Sequence, residues 1–198
     1  MKTVRAEPTL FELDPLRVME LHEHDAPLLQ VLFEKNPEYF WICNGRAPMP
    51  DQALEEMRSV PPSEMTYSKK YVIGLFNNLS ELVGMTIVFS NFIANHVWLI
   101  SEFIFDKSLH GTGITQQFYQ QLESWMQKNG AEWIRLGVVQ GNTKAERFWN
   151  KVGYIQLRER INVPSDMQVN TLRVMAKSLT ECSFGEYLLL VPRDRQDA

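Results

Sequence analysis

A chain of 198 residues with 44% hydrophobic content is long enough to bury a core within one domain, and no apolar run approaches the roughly 18 to 20 residues of a membrane-spanning helix. Its two cysteines, Cys43 and Cys182, have no Cys-x-x-Cys spacing, which argues against a disulfide framework or a zinc site, so no metal is expected. The formal charge of −4 argues against nucleic acid as a partner, because phosphate neutralisation needs a cationic surface; it favours cationic small substrates by long-range attraction, or serves solubility alone.

The opening stretch from Met1 to Pro15 alternates charges and prolines without the apolar middle of a secretory signal, so the expected location is cytoplasmic, with no membrane partner. Asp25 then precedes Leu28, Leu29, Leu32 and Phe33, spaced as one face of a helix that the aspartate caps and Asn36-Pro37 closes. A second helix runs from about Asp51 to Met57. The connection between them, Glu38 to Pro50, is rich in aromatics and prolines and long enough to suggest cover for a substrate pocket. Tyr71 to Asn77, Leu82 to Phe89 and His96 to Phe105 are rich in Val, Ile, Phe and Tyr and separated by turn residues, the pattern of an antiparallel meander.

From Gly113 the period changes. Ile114, Phe118, Leu122 and Trp125 recur at helical spacing, and Gly130 stands where a left-handed C-terminal cap belongs. Ile134, Leu136 and Val138 alternate as a strand, and Thr143 with Glu146 forms a T-x-x-E capping box for a short helix ending at Gly153. Strand-like runs follow at Tyr154 to Ile161 and Val169 to Ala176. In the tail from Cys182 to Ala198, the apolar run Tyr187 to Val191 is either an edge strand or a surface for a second copy of the chain, as in a homodimer.

The junction Phe103-Ile104-Phe105-Asp106-Lys107-Ser108-Leu109-His110-Gly111-Thr112-Gly113-Ile114-Thr115 is a strand, a short loop and a helix start. Helix-start amides lack internal partners and sit at the positive end of the helix dipole, while glycine admits a phosphate oxygen to the backbone. A pyrophosphate fits there without a basic side chain. Gln116 stands where a dinucleotide fingerprint needs a third glycine, and the Gly-Lys-Ser/Thr of a Walker loop is missing. Asp106 suits a turn former after its strand.

This segment resembles the Arg/Gln-x-x-Gly-x-Gly/Ala motif of the GNAT family of N-acetyltransferases, with His110, Gly113 and Thr115 at the three marked positions. Asn142-x-x-Ala145-x-x-Phe148-Trp149-x-Lys151-x-Gly153-Tyr154 is similar to the family's second landmark, N-x-x-A-x-x-F-Y-x-K-x-G-F. The resemblance spans roughly Thr9 to Leu179. It implies an α/β (α+β type) GNAT fold: a single domain over 1–198, with a core of about 9–179 and a C-terminal extension at 182–198. It further implies a central, mixed but mostly antiparallel twisted sheet of six or seven strands, flanked by about four helices.

It also implies acetyl-CoA as co-substrate and direct transfer of the acetyl group to a primary amine of a small molecule or peptide. The alternative is a GNAT-fold module that binds acyl-CoA without turnover. Cofactor contacts would come from Phe103, Ile104, Phe105, His110, Gly111, Thr112, Gly113, Ile114, Thr115, Asn142 and Trp149, the amides of Phe103 and Phe105 polarising the thioester carbonyl. Trp149 stands where many members carry a tyrosine that protonates the leaving thiolate, a task indole cannot perform.

Glu102 is the candidate base; by strand alternation it faces either the cleft or a neighbouring cation. Tyr154 supplies either a phenol near the thiolate or core packing. His110 either touches phosphate or is solvated, and Asn142 serves the cofactor or its own loop. Tyr39, Phe40 and Trp41 either line an acceptor pocket or staple their connection to the core.

Overall fold

A computed structural model describes residues 9–197; Met1 to Pro8, the start of the segment searched for an export signal, and Ala198 of the tail lie outside them. Eight strands form one sheet in the order β1-β2-β3-β4-β5-β6-β8-β7. They are β1 (Glu12–Leu13), β2 (Leu16–Glu20), β3 (Lys69–Phe76), β4 (Leu82–Ser90), β5 (Val97–Phe105), β6 (Trp133–Val139), β7 (Ile155–Ser165) and β8 (Gln168–Ser178). The meander expected from Tyr71 to Phe105 is present as β3-β4-β5. The sheet exceeds the expected strand count through the short β1–β2 hairpin, too brief to register as a periodic run.

Every neighbouring pair is antiparallel except β5–β6. That parallel pair needs a crossover, supplied by helix α4 (Ile114–Lys128), whose apolar face of Phe118, Tyr119, Leu122 and Met126 is buried on the sheet. Gly130, at φ 94°, turns the chain after α4 into β6 in the left-handed conformation expected of it. Helix α5 (Thr143–Lys151) lies on the same face as α4 and buries Trp149 there.

The opposite face carries α1 (Ala26–Lys35), α2 (Pro37–Asn44) and α3 (Gln52–Arg58). The structure departs from the sequence pattern at three places. The Glu38–Pro50 connection is largely the helix α2, because proline at a first helical position ends α1 without preventing a new helix. Asp25 makes no side-chain bond to α1; its carboxylate accepts from the His22 N–H (3.0 Å), capping the preceding one-turn helix instead. At α5 the cap is Asn142, whose side-chain oxygen accepts from the Ala145 N–H (3.2 Å), while Glu146 accepts from the Gly141 N–H (3.0 Å) rather than closing a box with Thr143.

The apolar run of the tail is not an edge strand, and its buried members pack within the chain rather than being left for a second copy. Its Ser183–Glu186 capping box opens helix α6 (Phe184–Leu190), and Tyr187 and Val191 are buried against Val97, Trp133 and Ala176 on the α1–α3 side of the sheet. Asp194, beyond α6, receives two hydrogen bonds from Arg135 of β6 (2.7 and 2.9 Å) and one from the Tyr187 hydroxyl (2.7 Å). Among the described residues, no helix is long and apolar enough to cross a membrane.

Candidate active site

The site begins where β5 and β6 part. They pair only from Val97 to Ile100 against Trp133 to Leu136; beyond that, Ser101 to Phe103 and Gly137 to Val139 form opposite walls of a cleft. Asp106 N–H donates back to Val83 of β4 (2.9 Å). Successive residues of a strand point their N–H groups to opposite sides, so those of Phe105 and Phe103 turn away from β4, toward the side that β6 has vacated. His110, at the loop's edge, lies with its ring Nε2 3.2 Å from the Phe105 carbonyl and donates to it.

A β-bulge at Ser101 decides where Glu102 points. Ile87 pairs with Glu102 and Val88 with Ile100, which leaves Ser101 without an opposite number. Trp98 and Ile100 face α4 and α5, and so do Phe103 and Phe105; the extra residue puts Glu102 and Ile104 on the α1–α3 face. Strict alternation from Trp98 would have sent Glu102 to the other side.

There Glu102 lines the cleft, and its direct partner is not a cation but Tyr39 of α2, whose hydroxyl donates to the carboxylate. Burial pushes the Glu102 carboxyl up to about 8, the nearby Glu56 charge adds to the rise, and the Tyr39 bond and Lys70 oppose it. Lys70 itself spends its ammonium on the end of α3, donating to the carbonyls of Met57 (3.1 Å) and Ser59 (2.6 Å). Cys43, one turn after Tyr39, also lines the cleft, and burial pushes its thiol up to about 12, away from nucleophile chemistry.

Of the aromatic trio, Tyr39 alone reaches the cleft. Phe40 is buried against Phe33, with ring centroids 4.8 Å apart, and Trp41 is 57% exposed on the outer side of α2. The helix produces this division, since consecutive residues point about 100° apart.

The loop after β5 is built to leave amides open. Asp106 caps a single turn by accepting from the Ser108 N–H (2.9 Å), and Thr112 Oγ1 accepts from the Ile114 N–H (3.3 Å). Among the described residues, the N–H groups of Gly111, Gly113, Thr115 and Gln116 have no acceptor, and the Thr115 hydroxyl is buried without a partner. Gly113, at φ 87°, is the α4 N-cap, and a Cβ there would stand in open space rather than against protein. This donor set at a helix start fits a pyrophosphate. The side chains of Ile104 and Ile114 turn away from the open amides, Ile104 into the α1–α3 core and Ile114 against the α4 side.

Trp149 and Asn142 both line the cleft. Trp149 is buried among Phe103 (5.0 Å), Tyr119 (5.5 Å) and Tyr154 (5.1 Å), and its indole N–H has no acceptor among the described residues. Tyr154 is a core residue behind it: its hydroxyl lies 3.2 Å from that of Tyr119, and it does not border the cleft. Gly137 and Val139 also line the cleft. The available sequence signal was Gly137 itself, an isolated glycine interrupting the Leu136–Val138 alternation.

A mixed sheet splayed at its parallel junction, above a helix start with open amides, defines the class of acyl-group transferases with this fold. The Acetyltransferase (GNAT) family profile matches residues 19–154. Among solved structures, an acetyltransferase from Thermus thermophilus aligns with TM-score 0.67 and 20% identity, over 83% of this chain and 97% of that one. A GCN5-related N-acetyltransferase from Kribbella flavida aligns with TM-score 0.60 and 18% identity, over 83% and 98%. An acetyltransferase from Salmonella typhimurium that modifies the N-terminal serine of ribosomal protein L7/L12 aligns with TM-score 0.67 and 14% identity, over 85% and 97%. No curated protein matches. The chain belongs to the GNAT acetyltransferase family, and acetyl transfer is the chemistry that membership supports.

Proposed function

We propose that this protein is an acetyl-CoA-dependent N-acetyltransferase that acts on a primary amine of a small molecule or peptide by direct attack. The observation that carries this reading is Glu102: a carboxylate re-aimed by a bulge into the cleft, held by Tyr39, and titrating near 8, close to the range that suits a general base.

In the proposed reaction, Glu102 accepts a proton from the ammonium of the acceptor, directly or through one water, which frees the nitrogen lone pair. The N–H groups of Phe103 and Phe105 donate toward the carbonyl oxygen as charge develops there, a preorganised contribution that falls in the vacated space beside β5. The open amides from Gly111 to Gln116 and the Thr115 hydroxyl hold the pyrophosphate. Acetyl-CoA supplies the acetyl group and the thiolate leaving group when bound. The new C–N bond forms as the C–S bond breaks, the nitrogen gives up its second proton to solvent, and with indole in place of a phenol at Trp149 the departing sulfur takes its proton from solvent.

The test is thiol release from acetyl-CoA, followed with a colorimetric reagent across polyamines, aminoglycosides, amino acids and N-terminal peptides. Release with at least one acceptor class, lost in Glu102→Gln, is the expected result. Heat stabilisation by CoA without release for any acceptor would make the chain a binding module instead. No stabilisation by CoA would sink both readings.

A further inference from the structure

Beside the cleft, the α1–α3 face of β6, β8 and β7 between α2 and the C-terminal tail forms a shallow groove, exposed at Gly137. Its floor follows from strand register. Gly137 pairs with Val174 and Val174 with Arg158; Val139 pairs with Leu172 and Leu172 with Arg160. Directly opposite residues share a face, so these six stand together, and it is the face on which Arg135 meets Asp194 and Asn170 meets α2. Gly137, in the middle of the sheet, is nevertheless exposed, because a Cβ there would meet only Leu172 Cδ1 at 3.8 Å.

Two structures wall the groove. At one end the β7–β8 hairpin is tied to α2: Asn170 Nδ2 donates to the Cys43 carbonyl (2.7 Å), Gln168 Nε2 to the Ile42 carbonyl (2.6 Å), and the Met167 N–H to the Asn44 carbonyl (3.0 Å). At the other end lies the tail, where Arg158 donates to the Arg193 carbonyl (2.8 Å).

The groove is cationic. Arg158, Arg160 and Arg193 gather on it, while Asp194, the acid beside them, is already engaged by Arg135 and Tyr187. Arg160 is partly buried and has no acceptor among the described residues. Burial and then the like charges of Arg193, Arg135 and Arg158 hold its guanidinium below the usual range, against the smaller opposing effect of Asp194. A local excess of this kind in a chain of net charge −4 runs against the cationic substrates that the overall charge suggested.

We propose that this groove is a subsite for an anionic group on the acceptor, a carboxylate or phosphate held by Arg160 and Arg158, so that the preferred substrate is an amine that carries an anion. The proposal rests on the acetyltransferase reading. Gly137 and Val139 border both the cleft and the groove, and Arg160 lies two strand spacings, about 10 Å, from Val139. Arginine suits the task because its planar fork meets a carboxylate or phosphate with two parallel hydrogen bonds.

The experiment compares thiol release for paired acceptors that differ only in the anion: amino acids against their carboxamides, and phosphoethanolamine against ethanolamine. The expected kcat/KM preference for the anionic member is roughly ten- to a hundredfold, what charge-assisted bonds supply. It falls toward 1 in Arg160→Gln, mainly through KM, and Arg160→Lys restores part of it. The amino-acid and phosphate pairs tell which anion the groove takes.

A second arm needs no turnover: calorimetric binding of N-acetylaspartate and of its diamide to the CoA-saturated protein, with CoA-induced heat stabilisation confirming that each variant is folded. Tighter binding of N-acetylaspartate, abolished by Arg160→Gln, supports the subsite even if no acceptor is acetylated and the enzyme reading fails. Equal treatment of charged and neutral members in both arms, or a preference that survives Arg160→Gln and Arg158→Gln, overturns it.

Discussion

Glu102 sets the pH behaviour of the molecule, through Tyr39 and Cys43 on α2, Glu56 on α3 and Lys70 on β3, the titratable groups facing it. As the proposed base it works deprotonated, so kcat/KM should rise with pH and level off above about 8, and Glu102→Gln should lower it by roughly 10² to 10⁴ while removing that rise. Tyr39→Phe removes a donor that lowers the Glu102 value, so the midpoint of the pH–rate profile moves to higher pH. Stability has the opposite sign. A carboxyl raised above its ordinary 4.5 holds its proton more tightly in the folded state, so its contribution is complete below that value and is lost as pH rises to about 8. Glu102→Gln therefore gains in Tm over the parent between pH 5 and 8, a trend that thermal scans across that window measure.

At the scale of elements, the α4 start shapes the open amides and the C-terminal tail covers the Trp133 end of the same sheet. Gly113 occupies the left-handed region at φ 87°, where a Cβ costs about 1 kcal/mol or more. Gly113→Ala should thus lower Tm by about 2 to 4 °C and weaken CoA binding measured by calorimetry, since the same residue shapes the open amides. In the tail, burial opposes the charge of Asp194, and the two hydrogen bonds from Arg135 overcome it, holding the carboxyl below its ordinary value. Asp194→Ala leaves Arg135 buried and unpaired, with an expected loss of about 3 to 5 kcal/mol in denaturant titration. The double variant Arg135→Met/Asp194→Leu should recover part of that loss, because it removes the stranded charge along with its partner.

For the whole molecule, CoA at a hundredfold its Kd should add about 2.7 kcal/mol of stability and raise Tm by about 5 to 10 °C. Much of the site behind that prediction was legible without coordinates. Gly111, Gly113 and the helix opening at Ile114 announce an anion site because glycine and helix-start amides act locally, through backbone groups a few residues apart. The strand periods of β3 to β6 and the helical period of α4 are equally local. What alternation could not provide is the bulge at Ser101, a mismatch in length between β5 and its neighbour that exists only once the two strands pair, and it is this mismatch that turns Glu102 toward Tyr39. The tail reads as a short apolar run; Ser183-x-x-Glu186 is the local signal of its helix, and only its seating over Trp133 and Arg135 buries the ion pair. The groove of Arg158, Arg160 and Arg193 likewise joins residues more than thirty positions apart, through the register of three strands and the seating of the tail. Sequence by itself determined the periods, the turn chemistry and the open amides at the α4 start, because these depend on neighbours along the chain. Tertiary structure alone decided which side chains share the cleft, because that depends on pairing register and on which face each strand presents.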